Sequence, residues 1–536
     1  MDRMSATDAG FYFAESENTP MHVGSVAVFE GPAPSYGDVV RLLLGKLSAV
    51  PRYRQRAVPM PMNLGRPVWV DDPHFQILYH IRHTAVPKPG NAEQLRNLAG
   101  RVFGQRLDLS KPLWELWLVE GLADDRWAMI NKVHHAMVDG VAGTDLMQLI
   151  FDLDPEARHP EPKPWVPRRS PSTASMLLDS ATEAVARPVR QVITAPAAAA
   201  SIPSPGELLR RASVLGSAVA AAARQALAPV APTLNGEIGP HRRWAWAETT
   251  VDDVRRVRKA FGGSMNDVVL AAITAGFRDL LAGRGQLADG KVVRSMVPVS
   301  IRRETERGTL NNQVSAVFVD LPVSEPSPPA RLETLRAQMD THKRTLAAYD
   351  PRSVNTAADL VPAALFAVGV RAALGAGQPW VQAITTNVPG PRVPLYVLGR
   401  RMESLYPYVP IGGGVRTAIG IFSYRDTITF GINVDFDAVP DVEVLAAGIS
   451  DGMAELVKSA ETPPAPGNAA VLATGETPNA SRGAVLATGE TTNASRGASA
   501  PQVVARSGSG RRRSTASGGR AGGRGTRPGA AGGPPG

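Results

Sequence analysis

The chain of 536 residues predicts an α/β protein. Segments of period-two alternation interleave with segments of helical period from about residue 25 to residue 457. The apolar fraction of 43% is that of a globular chain with a sizeable core. No run of 18 apolar residues occurs, so no spanning helix is expected. The length allows two or three domains. Absence of cysteine excludes disulfides, thiol catalysis and cysteine-ligated metals, and suits a reducing cytoplasm. Asp2, Arg3, Asp8 and Glu15 interrupt the start of the chain, which does not read as a signal peptide.

The net charge of +9 belongs to the C-terminus. Residues 498–536 hold seven arginines and no Asp, Glu or Lys, so residues 1–497 carry only +2. Before them, AVLATGETPNASRG at 470–483 repeats at 484–497 with one change, Pro478 to Thr492. This composition from about residue 461 predicts a disordered tail. Its arginines suit anionic lipid or non-specific nucleic-acid contact, or plain solvation; no specific nucleic-acid partner is expected.

In chain order, 25–29 reads as a strand and 36–50 as a helix with Val39, Val40, Leu43, Leu44 and Leu47 apolar. Residues 67–71 and 75–83 read as extended, and 92–103 as a helix. A strand from Pro112 to Val119, a turn at 121–126 and a second strand form a hairpin, with Trp114, Trp117 and Trp127 around it. Residues 154–232 form a connector rich in Pro, Ala, Ser and Arg, helical at 207–227. Further helices are expected at 250–261, after Ser264, and at 329–349, 357–374 and 442–457. Strands are expected at 292–299, 312–321, 383–388, 395–398, 401–406, 418–424 and 427–436. The connector separates a patterned stretch at 1–153 from a second at 233–460.

The chemistry concentrates in KVHHAMVDG, residues 132–140. Trp127, Met129, Asn131 and Val133 alternate with Ala128, Ile130 and Lys132, which predicts a strand. Asp139 suits the cap of a helix that follows. The motif thus lies on a strand-to-helix turn. Neighbouring strand side chains face opposite ways, so His134 and His135 cannot share one role. A histidine here suits a general base, with the carboxylate holding the turn or the imidazole tautomer. A purely structural pair and a metal site are the other readings of this spacing.

Several segments in order resemble the bacterial wax ester synthase/acyl-CoA:diacylglycerol acyltransferase family, in its actinobacterial, mycobacterial-type form. They are TPMHVG at 19–24, PLWE at 112–115, HHAMVDG at 134–140, Asn266-Asp267, PVSIR at 298–302, NVPGP at 387–391, and Phe430-Gly431 with Asp435. The resemblance spans about residues 3–457. It implies two chloramphenicol acetyltransferase-like, CoA-dependent acyltransferase domains with mixed sheets around a central channel.

The same resemblance implies the reaction. Long-chain acyl-CoA is the co-substrate, no bound cofactor or metal is required, and the acceptor is diacylglycerol or a long-chain alcohol. His135 is the implied general base, with Asp139 orienting the turn and Gly140 keeping the channel wall free of side chain. Arg302 is the candidate partner of Asp139. Thr386 or Asn387 is the candidate oxyanion donor. Asn266 and Asp267 carry over as a motif that a helix cap explains equally well, and His134 packs or supports. Hydrophobic substrates imply peripheral contact with the inner face of the cell membrane or a lipid droplet, for which the 207–227 helix is the candidate. A silent lipid-binding paralogue and a transferase for polar acceptors are the competing readings. Oligomeric state is left open.

Overall fold

Two six-stranded mixed sheets carry the chain. The structure, a computed structural model, describes residues 2–61, 65–138, 150–179, 182, 232–300, 314–347 and 380–462. Asp139, Gly140, Arg302, the expected helices at 207–227 and 357–374, and the tail beyond 462 lie outside the described residues.

The strands are β1 (Asp2–Arg3), β2 (His22–Phe29), β3 (Gln55–Val58), β4 (Val68–Asp71), β5 (Ile81–Ala85), β6 (Trp114–Leu122), β7 (Arg126–His134), β8 (Arg242–Thr250), β9 (Val293–Ser300), β10 (Val314–Leu321), β11 (Ala383–Pro389), β12 (Tyr396–Val397), β13 (Arg400–Tyr408), β14 (Thr417–Tyr424) and β15 (Thr427–Asp435). The helices are α1 (Ala6–Ala14), α2 (Tyr36–Lys46), α3 (Ile77–His80), α4 (Ala92–Gly104), α5 (Val251–Phe261), α6 (Met265–Gly283), α7 (Pro328–Ala347) and α8 (Val442–Glu461).

The first sheet runs β12-β13-β2-β7-β6-β5, antiparallel except where β5 lies parallel to β6. One face, with Ala27, Phe29, Trp127 and Met129, packs on Val39, Leu42 and Leu43 of α2. The other, with Val26, Val28, Ala128 and Ile130, packs on Leu95, Leu98, Ala99, Val102 and Phe103 of α4. The β6–β7 hairpin turns through Asp124 (φ 60°) and Asp125 (φ 51°), the left-handed pair that matches strand twist.

The second sheet runs β10-β9-β11-β14-β15-β8, with β11 parallel to both its neighbours. Ala383, Ile419, Ile421, Phe430 and Ile432 meet α6 and α8 on one face. A small third sheet, β1-β4-β3, lies at the N-terminus. Among the described residues, no single helix is long and apolar enough to cross a membrane.

Sheet pairing cuts across a division at residue 233. Residues 396–408 come late in the chain, yet β12 and β13 complete the first sheet beside β2. Trp244 of β8 also joins the first half's core with Tyr406 and Tyr408. The expected extended stretch at 75–83 is instead the turn of α3 followed by β5, because Nδ1 of His80 bonds the Trp114 carbonyl at 2.8 Å and its ring stacks on Trp114. The described part of the connector lies on the first half. Arg168 binds Asp71, Asp179 pairs with Arg3, and Met176 is buried with Met60, Val68 and Val70.

Where β13 crosses β14 and β15 the backbones touch. A Cβ at Gly431 would overlap the Pro407 carbonyl oxygen, which is backbone and cannot swing away. Gly431→Ala is therefore expected to destabilise the fold, at the upper end of the roughly 1–3 kcal/mol typical of overpacking. A thermal melt unchanged from wild type would contradict this packing.

Candidate active site

β7 delivers the two histidines. Its odd-numbered side chains join the α2 face and its even-numbered ones the α4 face, so the rings of His134 and His135 part. The strand ends in a 3₁₀ turn, His135–Met137. Its backbone is satisfied at once: His134 N–H donates to Leu113 O (2.9 Å), His135 N–H to Met21 O (2.7 Å) and Val138 N–H to His135 O (3.1 Å).

His134 is fully buried. Its Nδ1 accepts from the Ala136 N–H at 3.0 Å, which assigns the ring proton to Nε2. Nε2 lies 2.9 Å from Oε2 of Glu15, a close approach rather than a linear hydrogen bond. Glu15 also accepts from the Met21 N–H (3.2 Å) and from Arg106 (3.1 Å). Burial pushes the Glu15 carboxyl up, but His134, Met21 and Arg106 outweigh it and hold the group below its ordinary value. Glu15 thus keeps the His134 ring in one orientation, and His134 in turn fixes the start of the turn.

His135 is only partly buried, and the Phe11 ring lies flat on it with centroids 3.6 Å apart at 13°. Its Nδ1 is buried without a partner, which leaves Nε2 as the nitrogen free to meet a substrate. Burial lowers its pKa to about 4, so the imidazole is neutral at physiological pH. A neutral imidazole can accept a proton.

Lys132, two residues before His134 on β7, is fully buried. Its ammonium donates to Val102 O (3.2 Å) and Gln105 O (2.9 Å) at the C-terminal end of α4, and lies 3.3 Å from Glu115. Burial lowers its pKa despite Glu115. His22 pairs with His134 across β2–β7, and its Nε2 meets Phe103 O at 2.9 Å. Its ring stacks on Tyr408, so its setting is that of a core residue.

The second half approaches the turn through segment 18–22. Arg242 donates to Asn18 O, and a Cβ on Gly412 would lie 2.8 Å from Cε of Met21, whose carbonyl holds the His135 N–H. The remaining sequence candidates separate by strand parity. Asn387 shares the helix-side face of β11 with Thr385 and lies 3.5 Å from Asn266. Thr386 shares the opposite face with Ile384, which, like Val409, packs against the cluster of Ile238, Ile411 and Ala418. Asp267 closes the capping box of α6: its N–H donates to Ser264 Oγ (3.3 Å), and its carboxylate accepts from Ser264 N–H (2.7 Å). Glu15 and Phe11 were not singled out by the sequence, because no spacing ties them to residues so distant in the chain. Among the described residues, no three His, Asp or Glu side chains converge as a metal ion would require.

Histidines kept neutral by burial, complete for His22 and His80 and partial for His135, make the fold acid-sensitive. Burial lowers His22 well below its ordinary value and brings His80 and His135 to about 4. Unfolded histidine titrates near 6.5, so between pH 6.5 and 4 the unfolded chain binds more protons. Stability is therefore full above pH 6.5 and lost as pH falls, by about 1.4 kcal/mol per pH unit for each such group. The melting temperature should drop steadily from pH 6.5 to 4.5; a flat profile would show that these rings are protonated in the folded state.

Solved structures of similar chains share this arrangement of two mixed sheets, which places the chain in the chloramphenicol acetyltransferase-like class of fold. The chain shares this fold with a starter condensation domain of rhizomide synthetase solved in complex with C8-CoA (12% identity, TM-score 0.51, 86% of this chain and 94% of that one). It is similar to the wax ester synthase/diacylglycerol acyltransferase from Marinobacter aquaeolei VT8 at 25% identity and TM-score 0.61, over 86% of this chain and all of that one. Residues 4–269 match the wax ester synthase/diacylglycerol acyltransferase catalytic domain, and residues 310–457 match the WS/DGAT C-terminal domain. A Mycobacterium tuberculosis protein named "Probable diacyglycerol O-acyltransferase tgs1" is 36% identical over 85% of this chain and 96% of its own length. The chain belongs to the wax ester synthase/diacylglycerol acyltransferase family.

Proposed function

We propose that the protein transfers a long-chain acyl group from acyl-CoA to the free hydroxyl of diacylglycerol, forming triacylglycerol and CoA. The observation that carries this reading is His135: a neutral, partly accessible imidazole on the family's motif, with one nitrogen buried and the other left free.

A thioester is already activated, so no covalent enzyme intermediate is needed. The deficient component is the neutral alcohol. Nε2 of His135 takes the hydroxyl proton as the oxygen attacks the thioester carbon. The tetrahedral oxyanion collapses, the C–S bond breaks, and the imidazolium returns the proton to the CoA sulfur. Such proton transfer contributes typically 10²–10⁴-fold. The oxyanion requires a hydrogen-bond donor. Thr386 is the better candidate, since its face of β11 is the one whose Ile384 packs against the Ile411 cluster, whereas Asn387 is turned to Asn266. Asp139 is assigned to holding the turn, with Arg302 as its partner. A water-insoluble acceptor has to be met at a lipid surface, so we place the working enzyme at the inner face of the cell membrane or on lipid droplets.

The test is release of free CoA from palmitoyl-CoA by the full chain, with dioleoylglycerol, hexadecanol or a polar amine in parallel. Triacylglycerol formation with dioleoylglycerol is the expected result. A strong preference for hexadecanol would make it a wax ester synthase, and release only with the amine would overturn the lipid reading. Acyl-CoA binding without release for any acceptor would make it a silent paralogue.

A further inference from the structure

Helix α1 touches both histidines of the motif with different side chains. Phe11 covers the ring of His135. Tyr12 lies 6.3 Å from the ring of His134, and Glu15, just past the helix, approaches its Nε2. Phe13 points the other way into the core, where it is 5% exposed. The helix is pinned at both ends. Ser5 caps it, the Met4 N–H binds Pro67 O at 2.9 Å, and Arg3 pairs with Asp179 of the connector at 2.5 Å; beyond its last turn Glu15 is held by Arg106.

A histidine ring turns about a broad χ2 torsion with little intrinsic preference. Among the described residues no polar group of another residue fixes the ring of His135: its Nδ1 has no hydrogen-bond partner, and the ring's polar interaction is with its own backbone. The orientation of Nε2 therefore depends on packing, and the Phe11 ring is the flat surface laid against it. We propose that Phe11 is a positioning residue for His135: its plane sets the imidazole plane and so aims Nε2 at the acceptor hydroxyl. Phe11 contributes no atom to the reaction. With centroids only 3.6 Å apart the two rings lie almost face to face, closer than the offset pairs that aromatic rings favour, so the contact acts as a steric wall against rotation of the imidazole. Angular misplacement of a base is costly in rate. By excluding water from one face of the ring, Phe11 also helps keep His135 unprotonated. This role rests on the reading of His135 as the base.

The experiment compares Phe11→Leu and Phe11→Met, which keep bulk without a plane, with Phe11→Tyr, which keeps the plane. On the full chain, kcat and KM for palmitoyl-CoA and dioleoylglycerol are measured from pH 5 to 8, with a thermal melt for each variant. The histidine ring protons of the unliganded proteins are titrated by NMR, with His135→Gln to assign the signal. The leucine and methionine variants should lose ten- to a hundredfold in kcat with KM within about twofold, and Phe11→Tyr should stay within threefold of wild type. Titration of His135 should move from near 4 toward 6.5 in the leucine variant. Wild-type kcat with an unmoved titration in a folded Phe11→Leu overturns the inference. So does a rise confined to KM, which would make Phe11 a wall for substrate, or an equally impaired Phe11→Tyr. If wild type transfers no acyl group to any acceptor, the proposed reaction fails, while the titration still decides whether Phe11 controls the ring.

Discussion

Replacing His135 by glutamine lowers acceptor-dependent CoA release by two to four orders of magnitude, the range that general-base assistance typically supplies. The ring is partly accessible and carries no hydrogen bond at Nδ1, so its removal orphans no buried donor. Its contact with Phe11 is apolar, and the backbone N–H that binds Met21 O stays in place. The melt of His135→Gln should therefore remain close to that of wild type, which separates a chemical loss from an unfolded one. The pH profile supplies a second check. With a base that titrates near 4 in the free protein, wild-type kcat/KM should be flat from about pH 8 down to 5 and fall only below that. A residual rate within threefold of wild type in the folded variant would show that another group takes the hydroxyl proton.

His134→Ala should fail differently. That ring is buried between Ala136 and Glu15, so its loss leaves a buried carboxylate with one partner fewer and should lower the melting temperature together with the rate.

Much of this arrangement can be read in the chain before folding. Alternation over 127–133 placed the histidines on a strand, and parity alone required their rings to diverge. The Ser264–Asp267 spacing announced the cap of α6, and the capping box is there. Elements defined by local period were legible because their signal lies within one window. What was not legible is long-range. β13 reads as a strand anywhere, but nothing local says that it pairs with the distant β2 on one side while β12 lies on the other. β8 was passed over although Trp244 and Trp246 alternate with alanines, because its position at a sheet edge, against α4, follows from tertiary contacts. Glu15 illustrates the same limit at the site. An acidic residue just after a short helix has the local appearance of a solvated end group, and only the fold brings it to His134.

Lys132 shows how the site is built into the core, and its replacement should have the largest effect on stability. An ammonium in a fully buried position is retained only because Glu115 and two carbonyls at the end of α4 receive it. The lysine thereby joins the strand carrying the histidines to α4. Lys132→Met keeps the aliphatic length and deletes the charge. Glu115, itself buried, is then left with Arg82 at 3.4 Å and the Trp117 indole N–H at 3.2 Å. Removing one partner of a buried pair typically costs about 3–5 kcal/mol, and the unmade bonds to Val102 O and Gln105 O act in the same direction. The double variant Lys132→Met/Glu115→Leu removes the stranded carboxylate and should recover a large part of that loss. What it does not recover measures the carbonyls, at roughly 1–3 kcal/mol for each acceptor left without a donor. A double variant no more stable than the single one would mean that Lys132 acts by capping α4 rather than by neutralising Glu115. A single variant as stable as wild type would mean that the lysine is held there for the reaction and not for the fold.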